Sequence, residues 1–220
     1  VGGSGDFAPS PRHSVAEQLH LAKTLLAPKW AGYRYVAYFQ AYTNTYASVD
    51  RLRQLFTPAI NDPEVSVLSI ATRPDCLPDA VLELLSELNR IKPVWVELGL
   101  QTAHDITASR LNRGYSRSVY EAAASSLRAR GIQVITHLIF GLPGETSAQM
   151  LSSVQYAASF SDGIKLQMLQ VLKGSVLGEE YEKEPFPLLS RGEYVSLICD
   201  ALSLLPPRVV VHRITGDPPK

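Results

Sequence analysis

Cysteine is almost missing: the 220 residues contain only Cys76 and Cys199. The two stand far apart and belong to no CxxC or histidine spacing, so neither a disulfide framework nor a zinc site can be read from them. Both are expected to be ordinary thiols in a reducing cytoplasm. An excess of one charge sign is missing too. Twenty-one basic and 21 acidic side chains cancel, so no net positive field points to nucleic acid or an anionic membrane, although a local basic patch remains compatible. No apolar run approaches the roughly 18 residues of a spanning helix, and the opening VGGSGDFAPSP has the pattern of neither a signal peptide nor an anchor. The expectation is a soluble, cytoplasmic protein. A starting Met is also lacking, and the glycine-rich opening points to natural residues ahead of Val1.

What is present is an alternation. Six segments rich in β-branched and aromatic residues run from Arg34 to Tyr42, Val65 to Thr72, Val94 to Thr102, Gln133 to Leu142, Gly163 to Leu172 and Arg208 to Thr215, each read as followed by a helical pattern. Their starts recur every thirty to forty-five residues or roughly so, the length of a strand, a crossover helix and two loops, which predicts successive βα units and a parallel sheet. Capping boxes are expected at Ser118 with Glu121, Thr146 with Gln149 and Ser190 with Glu193; Pro78 suits a first helical turn, and Gly131 stops the helix before it. No composition shift interrupts the pattern, so residues 1–220 read as one α/β domain.

The strands favour a barrel over a doubly wound sheet. Parallel strands buried on both faces read as continuous apolar runs, whereas VWVELGLQT places Val94, Val96, Leu98 and Leu100 toward the helices and Trp95, Glu97, Gly99 and Gln101 on the other side. GIKLQM likewise separates Ile164, Leu166 and Met168 from Lys165 and Gln167. Polar groups repeated on one face of successive strands are costly unless they line a wet or ligand-filled lumen.

In a barrel, function sits at the C-terminal ends of the strands. In IFGLPGET, Gly141 and Gly144 let backbone approach a flat ligand and Pro143 stiffens the turn, though a purely structural strand-to-helix turn reads the same way. In ELGLQT and LNRGY, the Gln101 amide suits hydroxyls and the Arg113 fork suits a carboxylate. In ATRPDC, Arg73 and Asp75 flank a proline, which leaves a structural salt bridge and a substrate contact both open.

The order ATRPD, ELGLQT, LNRGY, GIQVITHLIFGLPGET and KLQMLQVLKGSVL resembles the radical S-adenosylmethionine (SAM) superfamily, nearest its bacterial YhcC-like branch. That barrel is similar to those of the elongator catalytic subunit and oxygen-independent coproporphyrinogen oxidase, and the resemblance covers Gly2 to Asp217. It implies a partial (β/α)6 TIM-like barrel, with the first strand and cluster loop absent. It also implies an enzyme that cleaves SAM reductively at a 4Fe-4S cluster to give a 5'-deoxyadenosyl radical. Its partners would be SAM, a reductant protein and, through the elongator-like branch, a wobble uridine in tRNA.

Matched position by position, the resemblance assigns Gln101 to the SAM ribose and Arg113 to its carboxylate. Ile139, Gly141, Pro143 and Leu169 fall to the adenine, and His137 to the place of a ribose-binding aspartate, or to a satisfied core position. A glycine pair plus acid expected after the first of the six segments is replaced by QAYTNTY, where Gln40, Thr43 and Asn44 offer acceptors for the SAM amino group. Arg73, Asp75, Glu97, Lys165, His212 and Arg213 are candidate substrate contacts, with Arg117 and Asp217 as further rim candidates. The family's CxxxCxxC motif is absent and is expected just before GGSGDF; without it, the 220 residues are expected to be inactive. The alternatives are a non-catalytic SAM-binding or scaffolding barrel and, ranked lowest, an aldolase-like barrel using Lys165.

Overall fold

The computed structural model describes residues 10, 12–29, 32, 34–40 and 42–216. In chain order the elements are α1 (Val15–Leu26), β1 (Tyr35–Phe39), α2 (Val49–Asn61), β2 (Val65–Thr72), α3 (Asp79–Asn89), β3 (Val94–Gln101), α4 (Asp105–Arg110), α5 (Arg117–Arg128), β4 (Gln133–Phe140), α6 (Ser147–Phe160), β5 (Gly163–Met168), α7 (Val176–Lys183), α8 (Arg191–Leu204) and β6 (Val210–Arg213). The six strands form one sheet in sequence order, β1-β2-β3-β4-β5-β6, and each neighbouring pair is parallel. All six strand segments of the sequence are recovered, trimmed where the chain leaves the ladder.

Cross-lumen contacts show that this sheet is curled. Strands lie about 4.8 Å apart, so a flat sheet would put β5 roughly 19 Å from β1. Yet the Lys165 ammonium of β5 sits 4.3 Å from the centre of the Tyr38 ring on β1. Trp95 of β3 meets His212 of β6 edge to face, with ring centroids 5.0 Å apart. The architecture is a half-barrel whose polar strand face is concave. Its convex face carries the core: Val94, Val96, Leu98, Leu100, Ile164 and Leu166 are all fully buried, packed with Phe56, Leu85, Leu127 and Val154 from the helices. Each such side chain contributes about 1.5–3 kcal/mol by leaving water.

Helix starts follow the sequence in part. The boxes at Thr146 with Gln149 and Ser190 with Glu193 are both formed. The one expected at Ser118 is not, because α5 begins earlier, with Ser116 as its N-cap. There the Asp105 carboxylate accepts from the Arg117 N–H at 2.9 Å, so a residue 12 positions away satisfies a first-turn donor that a local box would have taken. Pro78 stands one position earlier than expected, as the N-cap of α3. A helix unforeseen in the sequence, α1, precedes β1 and opens on a Ser14–Glu17 capping box. No helix follows β6 among the described residues.

Candidate functional site

The lumen is organised as a layer of ionisable groups below a rim of loops. In the layer, Glu97 on β3 is 3 % exposed and accepts three hydrogen bonds at 2.6 Å: Oε1 from the Ser69 hydroxyl, and Oε2 from His137 Nε2 and from the Lys165 ammonium. Register explains the meeting, since His137 pairs with Lys165 across β4 and β5, and Lys165 with Arg213 across β5 and β6. Burial opposes ionisation of Glu97, but the His137 hydrogen bond and the attraction of His137 and Lys165 outweigh it and hold the carboxyl at about 2. Burial pushes His137 down, and both Lys165 and Arg213 add to that. The consistent assignment is a carboxylate between a neutral imidazole donating Nε2–H and a Lys165 ammonium, whose own pKa burial also lowers. Burial, then Glu97, raises the Tyr38 phenol.

The rim is set by Arg113. Its Nη1 donates to the carbonyls of Leu100 and Thr102, both at 2.8 Å, Nε to that of Tyr115 at 3.0 Å, and Nη2 to the Asp105 carboxylate at 2.8 Å. Its side chain is 5 % exposed. The two carbonyls flank Gln101, which closes β3 in the left-handed conformation at φ 61, a geometry that costs a non-glycine residue about 1–2 kcal/mol unless its surroundings impose it. Thus held, the Gln101 carboxamide folds back over Gly99, where a Cβ would approach its Nε2 to 2.8 Å. Gln101 Oε1 is buried without a partner. Tyr115 reinforces the corner by donating its hydroxyl to the Gly99 carbonyl.

The carboxylate that Arg113 engages in this structure is therefore Asp105, eight residues upstream, and the sequence contained that spacing without marking it. His137 is engaged by Glu97 within the layer, below the rim position of Ile139. Arg73 and Asp75 form the salt bridge that the sequence left open, at 2.7 Å, with Arg73 also over the Tyr115 ring. The Arg73 hydrogen bond holds the Asp75 carboxyl low. Burial pushes the neighbouring Cys76 thiol up. Arg117 is not a lumen group: it lies against Glu121 and the Tyr156 ring on the helical layer. Asn44 directs its amide to the carbonyls of Phe39 and Ala71, holding the loop after β1 against β2; Gln40 and Thr43 beside it are half-buried. Asp217 lies outside the described residues.

The loop after β4 supplies the apolar side. Gly141 takes φ +86, and a Cβ there would meet Leu189 at 3.1 Å and Leu169 at 3.9 Å. Ile139 and Leu169 are half-buried and Pro143 is buried. Thr102 donates to Glu145 of this loop, tying the β3 and β4 rims together. His212 lies over Gly163 at the floor, where burial lowers its pKa. No three or more His, Cys, Asp or Glu side chains gather as metal ligands among the described residues, nor is any helix there long and apolar enough to cross a membrane.

The radical SAM superfamily matches residues 5–157, and the radical SAM C-terminal domain matches 161–220. The chain is 44 % identical to Bacillus subtilis (strain 168) YtqA over 218 residues, 99 % of the chain and 68 % of that protein. It is 42 % identical to Escherichia coli (strain K12) YhcC over 93 % of the chain and 66 % of that protein. It thus spans about two thirds of the length of these relatives. A tRNA uridine(34) acetyltransferase of Dehalococcoides mccartyi (strain CBDB1) is 29 % identical over 69 % of the chain and 33 % of its own length. Among solved structures, archaeal Methanocaldococcus infernus Elp3 superposes with a TM-score of 0.77 at 19 % identity, covering 93 % of this chain and 52 % of that one. Escherichia coli coproporphyrinogen III oxidase, a radical SAM enzyme, gives 0.62 at 16 % identity, covering 92 % and 48 %.

Proposed function

The chain belongs to the radical SAM superfamily, and on that premise we propose that it forms the barrel of an enzyme that holds SAM at the rim and its substrate in the lumen below. The observation that carries this reading is Gln101. Its buried carboxamide oxygen lacks a donor and is fixed by Arg113 in a strained backbone, which fits a ligand hydroxyl such as that of a ribose. Ile139, Gly141, Pro143 and Leu169 offer the apolar wall that an adenine needs, and the side-chain oxygens of Gln40, Thr43 and Asn44 are acceptors suited to an ammonium.

SAM bound with a 4Fe-4S cluster supplies the reductive cleavage of a sulfonium and abstraction of hydrogen from a substrate. The chain's own part is to bind, orient and exclude water: Gln101 takes the ribose, Arg113 acts as the positioning residue for that corner, and the curved sheet shields the lumen. Cys76 and Cys199 do not make a three-thiolate site, so the reading requires cluster ligands outside these 220 residues, and without them this stretch is inactive.

The substrate class we propose is a wobble uridine of tRNA, supported by the relative named as a tRNA uridine(34) acetyltransferase. The gene's full product is expected to carry CxxxCxxC ahead of Val1 and, reconstituted anaerobically, to release 5'-deoxyadenosine from SAM under a strong reductant. Gln101→Ala should weaken SAM binding by about three- to tenfold, the worth of one hydrogen bond. No CxxxCxxC, or no release, rejects the enzyme and leaves a SAM-binding or scaffolding barrel. An unchanged tRNA nucleoside profile in cells lacking the gene rejects the tRNA substrate.

A further inference from the structure

Among the described residues, the ionisable layer has a cation without a counterion. Glu97 is matched by Lys165, and His137 beside them is neutral, but Arg213 takes part in no ion pair with another described residue. Its Nη2 donates to the Gln167 carboxamide oxygen at 2.6 Å, while its Nε is buried with no hydrogen-bond partner among the described residues. Arg213 also faces Lys165, His137 and Tyr38 closely enough to disfavour positive charge on the first two. A guanidinium held among other cation-forming groups, with a buried donor unused, is costly unless something else brings the negative charge. Gln167, whose oxygen is engaged by Arg213, has its amide N–H groups to offer the same acceptor.

Depth separates this position from the rim. Arg213 pairs with Lys165, Lys165 with His137 and His137 with Gly99, which lies two residues before Gln101 on β3, about 7 Å down the strand at 3.3 Å per residue. We propose that Arg213, with the Gln167 amide beside it, receives an oxyanion of the substrate, a carboxylate or a phosphate, at the level of the lumen beneath SAM. The proposal rests on the reading of the barrel as a SAM-dependent enzyme, and it makes the substrate's buried end anionic. Arginine suits that role through its planar fork, with Nε and one Nη available to two oxygens of one group.

The test uses the gene's full product and two probes, sodium acetate and inorganic phosphate, each against chloride at matched ionic strength, with thermal unfolding followed by circular dichroism. At about ten times its dissociation constant, the preferred probe should raise the midpoint of the full product by about 2 °C. Arg213→Gln should abolish that rise and Arg213→Lys should keep part of it. The response to acetate or to phosphate identifies the oxyanion. SAM binding, measured in parallel by equilibrium dialysis, should be unchanged within about twofold in Arg213→Gln. Absence of an anion-specific rise in the unsubstituted protein overturns the proposal even if neither variant folds, as does an equal rise in Arg213→Gln. Loss of SAM binding in Arg213→Gln would reassign Arg213 to SAM itself, ending the proposal while sparing the enzyme; failure of every form to bind SAM would instead strike the enzyme reading.

Discussion

Glu97→Gln is the sharpest single perturbation of this half-barrel, because it keeps the side chain's shape and removes only its charge. The Glu97 carboxyl falls from 4.5 to about 2 in the folded protein, which at about 1.4 kcal/mol for each pH unit is at most about 3 kcal/mol of stabilisation of the ionised form at pH 7, since the attraction of His137 within that shift acts only once His137 is protonated. Removing one partner of a buried ion pair costs about 3–5 kcal/mol, so the two routes agree. The expected loss at pH 7 is about 3 kcal/mol, seen as a lower urea midpoint at unchanged slope. The Lys165 ammonium left behind faces Arg213 with no carboxylate, so the loss should shrink as pH rises and Lys165 is deprotonated. Glu97→Gln combined with Lys165→Met removes the stranded charge and should recover most of the stability, giving strong coupling in a double-mutant cycle. A loss below about 1 kcal/mol, or strictly additive single effects, would refute the assigned charges, since the pair would then hold nothing together.

Acid should destabilise the protein in two stages. His137 and Glu97 both have folded pKa values below their unfolded ones, 6.5 and 4.5, so the unfolded chain binds more protons. The His137 contribution fades as pH falls below about 6.5, and that of Glu97 as pH falls from 4.5 toward about 2. Urea midpoints measured from pH 7 to 4 should decline, and His137→Asn should remove the first stage. Arg113→Lys cannot reproduce four hydrogen bonds from one planar fork; a stability loss of about 2–4 kcal/mol and weaker SAM binding are expected in denaturation and dialysis, and an unchanged protein would deny Arg113 its role at Gln101.

The fold was legible because two periods were written plainly in the chain. β-Branched residues alternating with Glu97, Gln101 and Lys165 could form only strands with one polar face, and a parallel βα repeat left few ways to bury the other. The partners of the polar residues were not legible. A guanidinium reads the same whether its carboxylate comes from a ligand or from Asp105, and His137 reads the same as a ligand contact or as a donor to Glu97 across the sheet. These choices depend on curvature and register, which no local pattern contains. Helix α1 was missed although its capping box was visible: it precedes the first strand and so stands outside the βα repeat, and of its apolar face Val15 and Leu19 pack on the core only partly buried.

Among the described residues β1 and β6 are not joined in the ladder of hydrogen bonds, so the outer edge of each carries backbone N–H and C=O groups that no described strand takes up. Any strand laid along either edge becomes a wall of the lumen, with Tyr38, about a third exposed, or Arg213 beside it.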